Sequence, residues 1–463
     1  MTENSRRKFL KSIGGTAAIA VGGPLLGKAG SLENVILLQP EKRSGSADTV
    51  RIGTVGMGIM GFNDTRDALK TPGVELVGVA DLYEGRLTHA KEEFGQDIFT
   101  TRDYRKLLER KDIDAILCAT HDLWHNTVSI DAMESGKAIY CEKPMVQHLE
   151  FGHAVVETQK RTGKVMQVGS QRVSSIAYAK ARDIYQSGDI GDLNMVEAKI
   201  NRHDALGAWD YSIPTDASPD SIDWNSFLKD TPKIPFDTDR FFRWRKYRAY
   251  GTGMPGDLFV HLISGLHFLT DSTGPIRIYA SGELSYWKDG RDVPDVMVAI
   301  FDYPKSKTHA AFRFLLQVNF ADGSGGGEYT RLIGTDGMIE MEGNSFRVKH
   351  QKLPQAPGYG GWDSLGTFSE AEQKAYVAWY DQKYPPDTRT VQQPKDIVYS
   401  APAGYDEHVE HLANFFESVR TGKPVVEDAV FGFRAAAPAV ASNMSYFEKR
   451  PIHWDPELMK EVK

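Results

Sequence analysis

A short apolar run, Val50–Val55, leads without a break into Gly56-Met57-Gly58-Ile59-Met60-Gly61. This G-x-G-x-x-G turn between a strand and the start of a helix constrains the chain more than any other feature. The first glycine permits a tight turn, the second lets a pyrophosphate approach the backbone, and the third lets helix and strand pack closely. The helix then offers unpaired N–H groups and the positive end of its dipole to an anion. A second apolar run, Val74–Ala80, ends at Asp81, twenty residues after Gly61. A carboxylate there accepts both hydroxyls of a ribose and repels a 2′-phosphate. The pattern predicts a dinucleotide site that favours NAD, while Arg86 keeps NADP open.

The same rhythm continues. Residues 115–119, 138–141 and 165–168 read as strands, with helices over 124–134 and 148–161. Strands alternating with helices give a parallel, doubly wound sheet. Ligands of such sheets lie beyond the carboxyl ends of the strands. That rule puts Thr120, His121, Glu142 and Lys143 at the cofactor crevice. Further on, residues 193–200, 276–284, 296–301, 310–320 and 329–333 read as strands joined by turns, which argues for antiparallel pairing. The expected architecture is α/β: a Rossmann domain over residues 50–171, then an α+β domain over 172–463 with a large, open, mostly antiparallel sheet. Helical patterns over 365–385, 405–420 and 429–447 read as packing elements, with His408 in an apolar stripe beside Leu412, Phe415 and Phe416.

The chain resembles the Gfo/Idh/MocA family of sugar and inositol oxidoreductases. Four stretches carry the resemblance: residues 56–61; Ala119-Thr120-His121-Asp122-Leu123-Trp124-His125; Cys141-Glu142-Lys143-Pro144; and Gly256-Asp257-Leu258-Phe259-Val260-His261. The resemblance implies a cofactor site formed by Gly56, Met57, Gly58, Ile59, Met60, Gly61, Asp81, Arg86, Thr120, His121, His125, Glu142 and Lys143. It makes His261 the general base, Asp257 its substrate-binding companion, and Arg172 a substrate contact. Two positions depart from the family pattern: His121 stands where a proline is usual, and Ser264 stands where an acid often follows the histidine.

The chemistry asks for these residue types. Oxidising a carbinol needs a base for the hydroxyl proton and a cofactor face held against the carbon. A lysine ammonium at the strand mouth can hydrogen-bond the reacting oxygen, and histidine is the natural acid/base near neutral pH. Asp257 and His261, four apart, share a face if they lie on a helix. The long segment 202–255 is rich in aromatic and charged residues, among them Trp209, Phe241, Phe242, Trp244 and Arg245. Such rings suit sugar binding, with Trp244 and His203 as candidate contacts; they equally suit packing of a long loop.

Composition closes off other classes. The 463 residues carry a formal net charge of -7, with no basic surface to attract nucleic acid. No cysteine-based metal spacing exists, and His121 and His125 lack a third ligand, so no metal is expected. Cys118 and Cys141 read as buried thiols. Ser5-Arg6-Arg7-Lys8-Phe9-Leu10-Lys11 followed by a weakly apolar stretch matches a twin-arginine (Tat) signal over residues 1–30, with a linker over 31–49. The expected protein is periplasmic, exported folded by the Tat machinery with its dinucleotide already held. It would oxidise a secondary hydroxyl of a sugar, glycoside or polyol as a homodimer or homotetramer. The alternative is a redox-neutral, NAD-dependent glycoside hydrolase. A binding protein with a relic Rossmann site is disfavoured by the intact glycines, Lys143 and His261.

Overall fold

The computed structural model describes residues 48–462. The expected signal segment and residues 31–47 of the expected linker lie outside them. Six strands form a parallel sheet in the order β3-β2-β1-β4-β5-β6. They are β1 (Val50–Val55), β2 (Val74–Ala80), β3 (Phe99–Thr101), β4 (Ala115–Cys118), β5 (Ala138–Glu142) and β6 (Met166–Gly169). Helices α1 (Ile59–Leu69), α2 (Glu84–Phe94), α3 (Arg105–Leu108), α4 (Asp122–Glu134) and α5 (Gly152–Thr162) connect them. Central strands β4 and β5 are buried at every position, the signature of a parallel sheet covered on both faces. The order reverses between β1 and β4, so the crevice opens there, above Gly56 and Thr120. Cys118 and Cys141 face each other across β4 and β5 as buried free thiols.

After α6 (Ile176–Gln186) the chain enters a second sheet of ten strands, ordered β14-β13-β12-β11-β7-β10-β9-β8-β15-β16. Its core strands are β7 (Leu193–Asn201), β8 (Arg277–Glu283), β9 (Val296–Tyr303), β10 (Phe312–Asn319) and β11 (Gly327–Gly334). Pairing is antiparallel except between β7 and β10. Alternate residues of β8 to β10 are buried, and the other face leaves Tyr279, Val298 and Ile300 exposed. The hairpin β12 (Gly337–Glu342) and β13 (Ser345–His350) and the edge strands β14 (Ile397–Ser400), β15 (Ile452–Asp455) and β16 (Lys460–Glu461) extend the sheet beyond what the sequence reading placed. Gly343, at φ 53°, makes the tight turn of that hairpin.

Three later elements shape the crevice. The loop 202–255, with helices α7 (Trp224–Leu228) and α8 (Thr238–Phe242), builds its own apolar cluster around Phe227, Phe241, Phe242, Tyr247 and Tyr250. Tyr83 belongs to that cluster and bridges to Ile222 in an antiparallel pair. Helix α9 (Val260–Thr270) follows a π-helical turn over Pro255–Phe259. After α10 (Glu370–Lys383), helix α11 (Glu407–Thr421), capped by Asp406, lays Leu412, Phe415 and Phe416 on Val50, Ile52, Leu117 and Tyr140 of the parallel sheet. Helix α12 (Ala429–Glu448) runs from that sheet to β8, where the Ala280 amide donates to Ser445 Oγ. The parallel sheet therefore takes part of its cover from the far end of the chain. No helix among the described residues is long and apolar enough to cross a membrane.

Candidate active site

The carboxyl ends of β1, β2, β4 and β5 open into a cavity of about 550 Å³. Gly56 sits at φ 88°, and a Cβ there would meet the Thr120 amide at 2.6 Å. A Cβ on Gly61 would lie 1.9 Å from the Gly56 carbonyl oxygen, so this glycine lets α1 pack on its own turn. A Cβ on Gly58 meets nothing within 4 Å; the space it leaves is an open cradle before the first turn of α1. No side chain caps that turn, so its amides are free for an anion. The residues present fit a dinucleotide pyrophosphate.

At one end of the cavity Asp81 accepts from the Met57 amide at 2.7 Å and the Tyr83 amide at 2.9 Å. Arg86 approaches Asp81 at 3.5 Å and stacks over Phe241 and Phe242. Arg102, Tyr104, Arg105, Phe227, Phe241 and Phe242 complete this end. The 202–255 loop closes over it: the Glu84 amide donates to the Ser221 carbonyl, the Asp223 amide to the Leu82 carbonyl, and the Tyr83 hydroxyl to Asp216. Lys229 donates to the Leu123 carbonyl and Thr127 Oγ1.

At the other end Lys143 Nζ donates to the Asp257 carbonyl at 2.8 Å and to Asp257 Oδ1 at 2.9 Å. Arg245 Nε reaches the same oxygen at 3.2 Å, and the Trp209 indole donates to Oδ2 at 3.0 Å. Burial opposes ionisation of Asp257, but Lys143 and Arg245 outweigh it and hold the carboxyl well below its usual range. His261 lines the same end, and its ring makes no hydrogen bond with any described residue. Burial, reinforced by Lys143 and Arg172, pushes it well below the ordinary histidine value and keeps it neutral. Glu142, Gln171, Arg202, Tyr211, Trp244 and His408 complete the wall.

Most of the expected residues are brought together here, with four corrections. Met57 gives its amide to Asp81, and its side chain is buried away from the cavity. His125 is a brace, not a lining residue: its ring nitrogens bond the Pro144 carbonyl at 2.7 Å and the Thr120 carbonyl at 3.0 Å, tying two crevice loops together. Burial opposes its charge, but Cys141 and Asp122 raise it. Arg172 lies behind the wall, bound to Tyr178 and Glu328. His203 is exposed and outside the cavity; its neighbour Arg202 lines it. Asp257 lines the cavity and binds Lys143, and Ser264 bonds the His261 carbonyl and the Ser170 hydroxyl, so neither bonds the His261 ring.

His121 lines the cavity at 4.7 Å from the Phe227 ring, pushed down to about 3 by burial and His125. Gln171, Arg202, Tyr211 and the lining role of His408 were not legible; each is carried into place by an element distant in sequence. Arg245 and Trp209 were noted as part of an aromatic segment, and the structure gives them a partner in Asp257. Among the described residues no group of three or more His, Cys, Asp or Glu is placed to hold a metal ion.

Comparison with known proteins agrees with this geometry. Residues 50–170 match the family model of the Gfo/Idh/MocA oxidoreductases, described as an NAD-binding Rossmann fold. The chain is 29% identical over 168 residues to inositol 2-dehydrogenase of Salmonella paratyphi B, covering 36% of this chain and 49% of that protein. It is 31% identical over 176 residues to alpha-N-acetylgalactosaminidase of Shewanella oneidensis, covering 34% of this chain and 38% of that protein. The chain thus spans less than half the length of these curated relatives. A levoglucosan dehydrogenase solved with NADH and levoglucosan shares the fold over 88% of this chain and 99% of its own, with a TM-score of 0.61 and 18% identity. Over residues 50–170 the chain is thus similar to the NAD-binding Rossmann domain of the Gfo/Idh/MocA oxidoreductases.

Proposed function

We propose that the protein is an exported, NAD-dependent oxidoreductase acting on a secondary hydroxyl of a sugar, glycoside or polyol, with a dinucleotide that it retains. The observation that carries this reading is the Lys143–Asp257 pair set beside a neutral, unbonded His261 at the mouth of β5. A bound nicotinamide would accept the carbinol hydrogen with its electron pair. Lys143 has three N–H donors, and two are committed to Asp257. The third is left for the substrate oxygen, where a positive charge stabilises a developing alkoxide. His261, neutral and without a partner, takes the hydroxyl proton. Trp244, Tyr211 and Arg202 hold the ring and its other hydroxyls. Asp81 at this end suits the two ribose hydroxyls of NAD, while Arg86 beside it keeps NADP open.

His261→Ala and Lys143→Ala should each lower kcat by about 10²–10⁴-fold while the nucleotide still binds. Full turnover in either variant, measured with a panel of sugars and inositols, rejects the assignment. The 202–255 loop tied across the Asp81 end supports retention. Arg6-Arg7 and its flanking sequence support export. Cell fractionation should find the protein in the periplasm, and a wholly cytoplasmic location refutes that part.

A second reading, the redox-neutral glycoside hydrolase, is favoured by His408, a further imidazole in the cavity beside His261 and His121. Transient oxidation followed by elimination needs a further acid/base away from the hydride carbon, and a retained cofactor suits it. Incubation with nitrophenyl glycosides and no added cofactor separates the two. Aglycone release with net hydrolysis indicates the hydrolase; keto-sugar formed only with an added acceptor indicates the dehydrogenase.

A further inference from the structure

Behind Glu142 lies a concentration of buried acid that the chemistry above does not use. Asp64 on α1 and Glu427, at the entrance to α12, are essentially inaccessible to solvent. Both carboxyl oxygens of Glu427 and Oδ2 of Asp64 have no hydrogen-bond partner. Glu142 is also buried, but it faces the cavity; its Oε1 accepts from Gln171 Nε2 at 3.3 Å and from the Tyr140 hydroxyl at 3.4 Å. Glu427 is tied through its carbonyl to the Val168 amide of β6, whose neighbour Gln167 pairs with Tyr140 of β5, and the Tyr140 phenol lies within electrostatic reach of all three carboxyls. An ionised carboxylate without donors is strongly disfavoured in such a place, and several cannot coexist.

The charged groups facing this cluster are few. Glu142 is near Lys143, His408 and His125; Asp64 is near Asp67 and Lys143; Glu427 is near Asp428. His411 is held neutral by burial, pushed down to about 4. Lys143 is already paired with Asp257. Burial raises Asp64, Glu142 and Glu427, and mutual repulsion adds to it. A positive charge brought to the wall of Glu142 would change that balance more than any group now present.

We propose that Asp64, Glu142 and Glu427 act as one buried proton-binding site beneath the nicotinamide position, losing a proton when the oxidised, cationic ring lies against Glu142 and regaining it when the ring is neutral. The inference rests on the cofactor reading above. Charge and atoms balance: the carbinol loses a hydride to the ring and a proton to His261. The cluster then takes that same proton from His261, which returns to its neutral form, so one negative charge disappears as one positive charge does. The enclosed site keeps its net charge through the cycle without opening the 202–255 loop.

The test is nucleotide affinity, not turnover. The full chain, freed of co-purified nucleotide by dialysis, is titrated with NAD and with NADH across the pH range in which it stays folded. Release of a proton on NAD binding alone makes the Kd ratio of NAD to NADH fall as pH rises, by up to about tenfold per pH unit where the proton is linked. Asp64→Asn combined with Glu427→Gln should bind both nucleotides with that slope flattened. A ratio independent of pH in the parent chain overturns the proposal, as does an unchanged slope in the double variant. If the double variant does not fold, Glu427→Gln alone, isosteric with a protonated acid, is used. Failure of either nucleotide to bind at all overturns the cofactor reading itself, and is thereby distinct from a flat ratio.

Discussion

Gly58 and Gly61 stand three residues apart, and a methyl group acts differently at each. At Gly58 the backbone has φ -79°, comfortable for any residue, and the Cβ would point into open space. Gly58→Ala should leave the melting temperature nearly unchanged while filling the path of a phosphate, weakening nucleotide binding by roughly tenfold or more, about 1.4 kcal/mol. At Gly61 the Cβ meets a carbonyl oxygen at 1.9 Å, and backbone must move. Gly61→Ala should cost about 1–3 kcal/mol of stability and lower affinity with it. Thermal melts and isothermal titration of the two variants check the contrast. The same separation between packing and ligand contact runs through the site: His125 and Arg172 hold walls that His121, Lys143 and His261 line.

The 202–255 loop carries the element-scale argument. Its rings pack on one another, Phe227 lying 5.0 Å from Phe241 and 4.6 Å from Tyr250. It is fastened to the Rossmann half at Tyr83, Leu82, Glu84, Leu123 and Thr127. A clasp of this kind slows escape more than it tightens contact, because most affinity differences appear in the dissociation rate. Tyr83→Phe removes the bond to Asp216 and keeps the ring against Phe242. NAD should then dissociate several-fold faster, by about 1 kcal/mol for one hydrogen bond, with little change in association. Stopped-flow displacement measures both rates, and equal dissociation in parent and variant refutes the clasp.

At the scale of the whole molecule, the ten-stranded sheet buries one face and exposes the other. Tyr279 sits opposite Ile300, and Val298 is two pairs along on the same face, all exposed. An exposed apolar patch on a sheet face, rimmed here by Arg277 and Arg313, suits an interaction site, and we propose that it pairs two copies of the chain. Ile300→Asp should shift the protein to monomer in sedimentation velocity without lowering the melting temperature of the monomer. A parent chain that is already monomeric at micromolar concentration would falsify this pairing. The molecule is also closed on itself: α11, near the carboxyl end of the chain, covers β1 and β5, and brings His408 to the cavity.

Five of the six strands of the parallel sheet were legible because their signals are local; β3 (Phe99–Thr101), three residues long, was not placed. The glycine turn, Asp81, and apolar runs at strand spacing each fall within a few residues of what they determine, and Val50–Val55 and Val74–Ala80 match their strands end to end. Lys143, Asp257 and His261 were legible as candidates because they sit in motifs tied to strand and helix ends. The sequence alone could not say that Asp257 would bind Lys143 rather than aim His261, since that depends on a π-helical turn and on Trp209 and Arg245 arriving from a distant loop. His203 and Arg172 went astray for a similar reason: one residue along a strand end reverses which side chain faces the cavity, and a half-buried glutamate from β11 claimed the arginine. The sequence by itself determined where a dinucleotide can lie, because that rests on backbone geometry at three glycines. Only the tertiary structure decided what surrounds the reacting atoms, because that wall is assembled from four separate parts of the chain whose contacts no local pattern encodes.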